Sequence, residues 1–260
     1  MIKKQKNKEI IIQSFQKYFN RFELKYQISF QERDRIISLI RPFMRLDSHV
    51  SNNFNYEVRS LYFDSNFYHT FLEKRDGVAI RKKLRIRYYP SILNDTQQQY
   101  AFIELKKKLN DNVAKRRIYI PLKNSLKFLD SHHRDTIEFY ENASEQDKNT
   151  LKEIWFMNKR YNLKPVCIVS YKRQPYVSKF EKSFRVTFDT DLKVRRYNLD
   201  LRFGGGSKFI IPPNICVMEI KFNNIIPNWA IKIIQKNDCV QYKISKFATG
   251  LEKSKIFTLS

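Results

Sequence analysis

Arg81, Lys83, Arg85 and Arg87 occupy alternate positions of one short stretch, with Leu84 and Ile86 between them. Alternate side chains of a β-strand share a face, so four like charges would stand side by side. They repel each other and gain nothing from packing. Water tolerates such a face on an edge strand; a polyanion makes it useful. Other segments divide the same way. Arg21, Glu23 and Lys25 oppose Phe22, Leu24, Tyr26 and Ile28. Tyr100, Phe102, Glu104, Lys106 and Lys108 oppose Ala101, Ile103 and Leu105. Arg185, Thr187 and Asp189 oppose Val186 and Phe188, and Glu219 and Lys221 oppose Met218, Ile220 and Phe222. Arg116 opposes Lys115 and Arg117, which leaves the direction of that strand ambiguous.

On these faces the cations Lys25, Arg85, Arg87, Lys106, Arg173, Arg185 and Lys221 outnumber the carboxylates Glu23, Glu104, Asp189 and Glu219. That ratio suits a triphosphate with a divalent metal. Guanidinium groups pair with phosphate oxygens two at a time, and a few carboxylates hold Mg²⁺ or Mn²⁺. Phosphoryl transfer needs mostly positioning and charge neutralisation. Each carboxylate also has a structural alternative. Glu104 can pair with Lys106 or an arginine across the sheet, Glu23 can orient Lys25 or an arginine, and Asp189 can cap a turn with Thr190–Asp191. A nucleic-acid binder has less use for carboxylates in its anion site, so nucleic acid is the weaker partner. No Ser/His/Asp or Cys/His set is evident.

The elements that must carry these residues read as mainly β. Strands are expected near 21–28, 57–64, 79–89, 99–108, 114–121, 166–174, 183–190, 192–196 and 215–222. A capping box, Ser29-x-x-Glu32, opens a helix over 30–40 that stops near Pro42. An insertion over 134–162 has helical character with a cap at Ser144, a last helix spans Trp229 to Gln235, and Gly204-Gly-Gly206 reads as loop. A two-sheet sandwich would turn the charged faces outward, whereas closing the sheet puts either face inside. With the charged faces inside, the helices at 30–40, 144–160 and 229–235 would cover the apolar outside.

Composition agrees with a polyanion partner: 50 Lys+Arg against 26 Asp+Glu give a net charge of +24. At 260 residues and 42% hydrophobic, the chain can bury a sizeable core. Residues 1–19 read as a basic lead-in and 20–260 as one domain. Three scattered cysteines, Cys167, Cys216 and Cys239, fit neither a disulfide framework nor a zinc site. No apolar run approaches membrane-spanning length and no signal peptide is apparent, so a cytoplasmic protein is expected.

Several ordered segments resemble the polyphosphate polymerase (vacuolar transporter chaperone, VTC) domain family of the triphosphate tunnel metalloenzymes. They are Arg21-Phe-Glu-Leu-Lys-Tyr26, Arg59-Ser-Leu-Tyr-Phe-Asp64, Arg81 through Tyr89, Phe102-Ile-Glu-Leu-Lys106, Ser170-Tyr-Lys-Arg-Gln-Pro-Tyr176, Arg185-Val-Thr-Phe-Asp-Thr-Asp191, Val217-Met-Glu-Ile-Lys221 and Ser245-Lys-Phe247. The resemblance implies a closed, roughly eight-stranded antiparallel tunnel with a basic interior, entered from both ends, its helices packed outside. It implies transfer of the ATP γ-phosphate to a growing inorganic polyphosphate chain with Mn²⁺ or Mg²⁺. By motif, Lys25, Arg85, Arg87, Lys106, Arg173, Arg185 and Lys221 would bind phosphates, joined by Lys115 or Arg116. Tyr171 would position a phosphate, Glu219 hold the metal with Glu23 as a second candidate, and Lys246 contact the chain at the reaction centre. Related hydrolases open with Glu-x-Glu-x-Lys; here Arg21 replaces the first glutamate, which favours holding phosphate over activating water. Without a membrane segment of its own, coupled translocation would need a membrane partner subunit.

Overall fold

The computed structural model describes residues 22–48, 50, 54–92, 99–109, 112–181, 183–204, 207–223, 225–237, 239–242 and 244–254. The expected lead-in, Arg21 and part of the Gly204–Gly206 loop lie outside the described residues. Ten strands form one antiparallel sheet: β1 (Phe22–Ser29), β2 (Met44–Leu46), β3 (Tyr56–Asp64), β4 (Ile80–Tyr88), β5 (Tyr100–Leu109), β6 (Asn112–Pro121), β7 (Lys164–Ser178), β8 (Arg185–Arg195), β9 (Lys208–Phe209) and β10 (Ile215–Phe222). Eight of them run in the order β1-β10-β8-β7-β3-β4-β5-β6, with β2 added to β7 and β9 to β8.

The expected eight-stranded path is present, but its closure is not. Among the described residues β1 and β6 do not pair. The second edge of β1 is taken by the chain near its carboxyl end: Tyr26 bridges Gln241, and the Tyr242 N–H donates to the Lys25 carbonyl at 2.8 Å. That strip occupies the edge β6 would need.

Among the described residues six α-helices accompany the sheet: α1 (Phe30–Ile40), α2 (His69–Arg75), α3 (Arg134–Asn142), α4 (Glu145–Tyr161), α5 (Asn228–Lys236) and α6 (Lys246–Lys253). The capping box of α1 is complete, Ser29 Oγ accepting from Glu32 N–H and Glu32 Oε2 from Ser29 N–H. Ile36, Ile37 and Ile40 of this helix meet Ile28, Met218, Ile220 and Val186 from the outer faces of β1, β10 and β8, with Trp229 of α5 alongside. Leu151, Ile154 and Met157 of α4 cover Leu84, Ile86, Ile103 and Ile118 from the outer faces of β4, β5 and β6. The insertion over 134–162 is thus two helices, parted at Ala143 and restarted by Ser144, whose Oγ accepts from Asp147 N–H.

Not every helix packs outside. Phe247, Ala248 and Leu251 of α6, with Phe71 of α2, join Val58, Val169, Val194 and Val217 from the inner faces of the strands. A helix of this length is marginal in water. Burying Phe247 and Leu251 contributes about 1.5–3 kcal/mol each, and Gly250 lets the helix lie close: an added Cβ would sit 3.2 Å from Val194 Cγ2. Cys167 and Cys216 are buried core residues. No described helix is long and apolar enough to cross a membrane.

Candidate active site

The inner face of the sheet and the amino end of α6 enclose a cavity of about 590 Å³. Alternation along β4 turns Arg81, Lys83, Arg85 and Arg87 into it, and α2 adds Lys74. β5 supplies Lys106 and Lys108; β1 supplies Glu23 and Lys25; β7 supplies Tyr171 and Arg173; β10 supplies Glu219 and Lys221; α6 supplies Lys246.

Charges inside fall into two groups. Around Glu104, which is 0% exposed, stand four cations from β4 and β6. Arg85 and Lys115 lie 2.7 and 2.9 Å from its oxygens, Arg117 and Arg87 at 3.8 and 3.9 Å. Arg87 also donates to Ser60 Oγ, and Arg85 to the Tyr62 hydroxyl. Burial works to protonate Glu104, but Lys115 and the arginines outweigh it and hold the carboxyl well below its ordinary range. Lys115 loses by the same arrangement. Burial, then the neighbouring guanidinium groups of Arg117, Arg85 and Arg87, lower its pKa in spite of Glu104. One carboxylate cannot serve four cations.

The second group sits on β1, β7, β8, β10 and α6. Arg173 holds Asp189 through two hydrogen bonds of 2.7 Å and reaches Glu219 at 3.1 Å. Lys246 bridges Asp189 at 2.7 Å and Glu219 at 2.5 Å. Lys221 lies 2.9 Å from Glu219 and Lys25 2.9 Å from Glu23. Here three carboxylates face four cations. Burial lowers the Lys246 pKa, yet Asp189 and Glu219 outweigh it and raise the value, so this ammonium stays charged. Glu219 is held well below its ordinary range: burial opposes ionisation, and Lys221, Lys246, Lys25 and Arg173 overcome it.

A third group gathers cations from β4, β5 and α2. Burial, then Lys106, Lys74 and Arg81, push Lys83 down to about 7. Asp64, whose oxygens accept from the N–H groups of Ser65, Thr70 and Phe71 at the start of α2, opposes this, as the smallest of these influences.

Several expected site residues therefore meet at one cavity: Lys25, Arg85, Arg87, Lys106, Tyr171, Arg173, Lys221, Glu23, Glu219 and Lys246. Lys115 shares the inner face but is turned to Glu104. Two do not belong to the set. Arg116 points outward, where Glu153 of α4 takes it at 3.4 Å together with Lys82 and Lys107. Its placement follows from Ile118, which packs in the outer core and has the same parity. Arg185 stands half exposed beside β10 and pairs with Asp47 at 3.6 Å, away from the cavity wall. Asp189, open to two readings in the sequence, faces inward and is fully buried. Lys74 was missed because nothing in a short helix of uncertain extent says which way its last turn faces.

Among the described residues no three His, Cys, Asp or Glu side chains stand together as a metal site. Glu219 has both oxygens engaged by cations. The donor set fits a divalent ion that arrives with phosphates, since such ions use one or two carboxylates plus phosphate oxygens and water.

An antiparallel sheet wrapped around a cation-rich cavity defines a protein of the triphosphate-tunnel fold class. The same fold is seen in a Bacillus halodurans protein provisionally designated an adenylate cyclase, at a TM-score of 0.50 and 15% identity, over 88% of this chain and 96% of that one. The chain belongs to the VTC domain family, whose sequence profile matches residues 20–255. Vacuolar transporter chaperone complex subunit 4 of Trypanosoma brucei brucei (strain 927/4 GUTat10.1) is 24% identical over 277 residues, covering 90% of this chain. The match takes in 34% of that relative, so the chain spans about a third of its length.

Proposed function

We propose that the chain is an ATP:polyphosphate phosphotransferase, built as one tunnel domain over 20–260 and working in the cytoplasm with Mn²⁺ or Mg²⁺. The observation that carries this is the convergence of Arg85, Arg87, Arg173, Lys25, Lys221 and Lys246 with Glu219 on one cavity. A site for a single small anion needs fewer cations, and Arg21, standing where related triphosphatases and cyclases carry the first glutamate, favours holding phosphate over activating water. The triphosphate of ATP lies along Arg85, Arg87 and Arg173, whose paired donors fit phosphate oxygens. Tyr171, over which Arg173 stacks at 5.1 Å, steadies that guanidinium. Lys106, Lys25 and Lys221 hold the acceptor chain.

In the transfer, a terminal oxygen of the chain bonds to the γ-phosphorus. The bond from that phosphorus to the β,γ-bridging oxygen breaks, and its electron pair leaves with ADP. The acceptor oxygen is already ionised, so no strong base is required. Lys246, kept protonated by Asp189 and Glu219, donates hydrogen bonds to the phosphoryl oxygens as charge moves. A divalent ion held by Glu219 and the phosphates, with Glu23 as a second carboxylate, would supply further charge neutralisation at the reacting oxygens.

Purified protein incubated with ATP and Mn²⁺ should yield a polyphosphate ladder on a gel, lost on chelation. Released phosphate without a ladder would replace this reading with hydrolysis. Bound polyphosphate with no ATP consumed would leave a binding module.

A further inference from the structure

The inner face of β3 to β6 changes character along its length. Toward one end β5 presents Lys108 and Lys106; toward the other it presents Phe102 and Tyr100. Five rings make a continuous wall at that second end: Tyr56 meets Tyr89 at 5.8 Å between centroids, Tyr89 meets Phe102 at 6.2 Å, Phe102 meets Tyr119 at 5.3 Å, and Tyr119 stacks on Tyr100 at 4.6 Å. Register fixes Tyr56, Tyr100, Phe102 and Tyr119 inside, and Tyr89 directly follows β4. Tyr56 lies opposite Arg173, and Phe102 opposite both Arg87 and Tyr119. The wall thus starts where the guanidinium groups of Arg87 and Arg173 end, and Arg117 lies over the Phe102 ring at 5.2 Å.

A barrel end can be filled with rings for packing alone. Two of these rings, Tyr56 and Tyr89, do pack against the buried inner cluster of Val58, Val169, Val194, Val217 and Leu251, whereas Tyr100, Phe102 and Tyr119 are not among its members. Four of the five rings of the wall are tyrosines and all four are half-buried, while only Phe102 is fully covered. Rigid amphipathic rings, partly exposed and with a cation beside them, suit a planar, polar-edged ligand.

We propose that this wall is a stacking site for the base of a nucleotide whose phosphates lie on Arg85, Arg87 and Arg173. The inference rests on the nucleotide reading of the cavity given above. It sets the direction of the substrate: base toward Tyr119, γ-phosphate toward Lys246, polymer toward Lys106. Every base has a π-face, so stacking discriminates poorly between bases. It discriminates strongly between a nucleotide and an inorganic triphosphate of the same charge.

The test is binding to the full chain without turnover. A non-hydrolysable ATP analogue and inorganic tripolyphosphate are titrated into the wild type and into Tyr119→Leu and Tyr100→Leu variants. Analogue affinity should fall about ten-fold, the effect of losing one base–aromatic stack, with tripolyphosphate affinity unchanged. Equal losses for both ligands, or no loss for the analogue, would overturn the site. Should the variants melt early, etheno-ATP bound to the wild type replaces them. Quenched base fluorescence, restored by tripolyphosphate, supports stacking; a bound probe with undiminished fluorescence refutes it. A protein that makes no polymer yet quenches the probe would sink the polymerase reading and leave this one standing.

Discussion

Lys115 and Lys246 are both inner-face lysines touching a buried carboxylate, and their fates are opposite. Lys115 shares Glu104 with three arginines and is pushed toward losing its proton. Lys246 shares two carboxylates, Asp189 and Glu219, with Arg173 and Lys221, and those two acids hold it as a cation. A short ion-pair distance therefore does not decide the charge state; the local ratio of acids to bases does. Around Glu104 the surplus is a demand for an anion. Around Glu219 and Asp189 the charges nearly balance, and what is stored there is position: Arg173 and Lys246 are held in place before any ligand arrives.

Removing the acid from each group should break the comparison in different places. Glu104→Gln leaves buried cations uncompensated and should cost about 3–5 kcal/mol of stability in phosphate-free buffer. Tripolyphosphate at a hundred times its Kd should return about 2.7 kcal/mol, read from urea melts with and without it. Glu219→Gln should cost less stability, because Asp189 and Glu23 still serve its partners, but should lower turnover by about 10²-fold or more with tripolyphosphate binding preserved. Equal melts for the two variants would show that the groups do not differ in charge surplus.

The pH dependence of binding sharpens the point. A lysine whose folded pKa lies below its unfolded 10.5 weakens the fold progressively as pH drops from 10.5, and the loss is complete near the folded value; for Lys83 that value is about 7. Phosphate beside it should raise the pKa again. Tripolyphosphate binding at pH 8 should therefore take up protons, measured by calorimetry in buffers of different ionisation enthalpy. Lys83→Arg should lower the uptake measurably, with Lys115 and Lys106, whose pKa values are also depressed, supplying the rest; Lys74, Arg81, Lys106 and Asp64 also face Lys83. Carboxylates behave oppositely: Glu104 and Glu219 stabilise the fold above their unfolded value near 4.5, and that support fades only as pH falls through their depressed folded values. The smallest effect belongs to Arg116→Ala, on the outer face. It should change stability by no more than about 1 kcal/mol and leave phosphate affinity untouched; a large loss of affinity would return Arg116 to the cavity.

Strand alternation made most of the site legible. Arg85, Arg87, Lys106, Glu219 and Lys221 could be placed on one face from period two alone. Alternation set Asp189 with Arg185 and Thr187 but left a turn cap open, because β8 has an irregularity at Asp191, where φ is 54° and the inward parity changes between Asp189 and Leu192. The same break made one strand read as two. Arg116 was resolvable from Ile118 and Ile120, whose apolar pattern fixes the outward side. Helix α6 was hidden for a different reason: its stability is tertiary, and Gly250 inside it looks like a breaker until Val194 is seen against it. Closure of the sheet was not legible either, since nothing in β1 says that residues 241–242 take its second edge.

That seam gives the cavity a mechanical property. In a closed barrel, strand number and stagger fix the bore, and widening it means rupturing backbone bonds. A cuff slit along its length needs no such rupture. Across the slit between β1 and β6, Lys106 of β5, one strand in from the β6 edge, is attracted to Glu23 of β1. A polyanion bound between them should draw the two sides of the slit together.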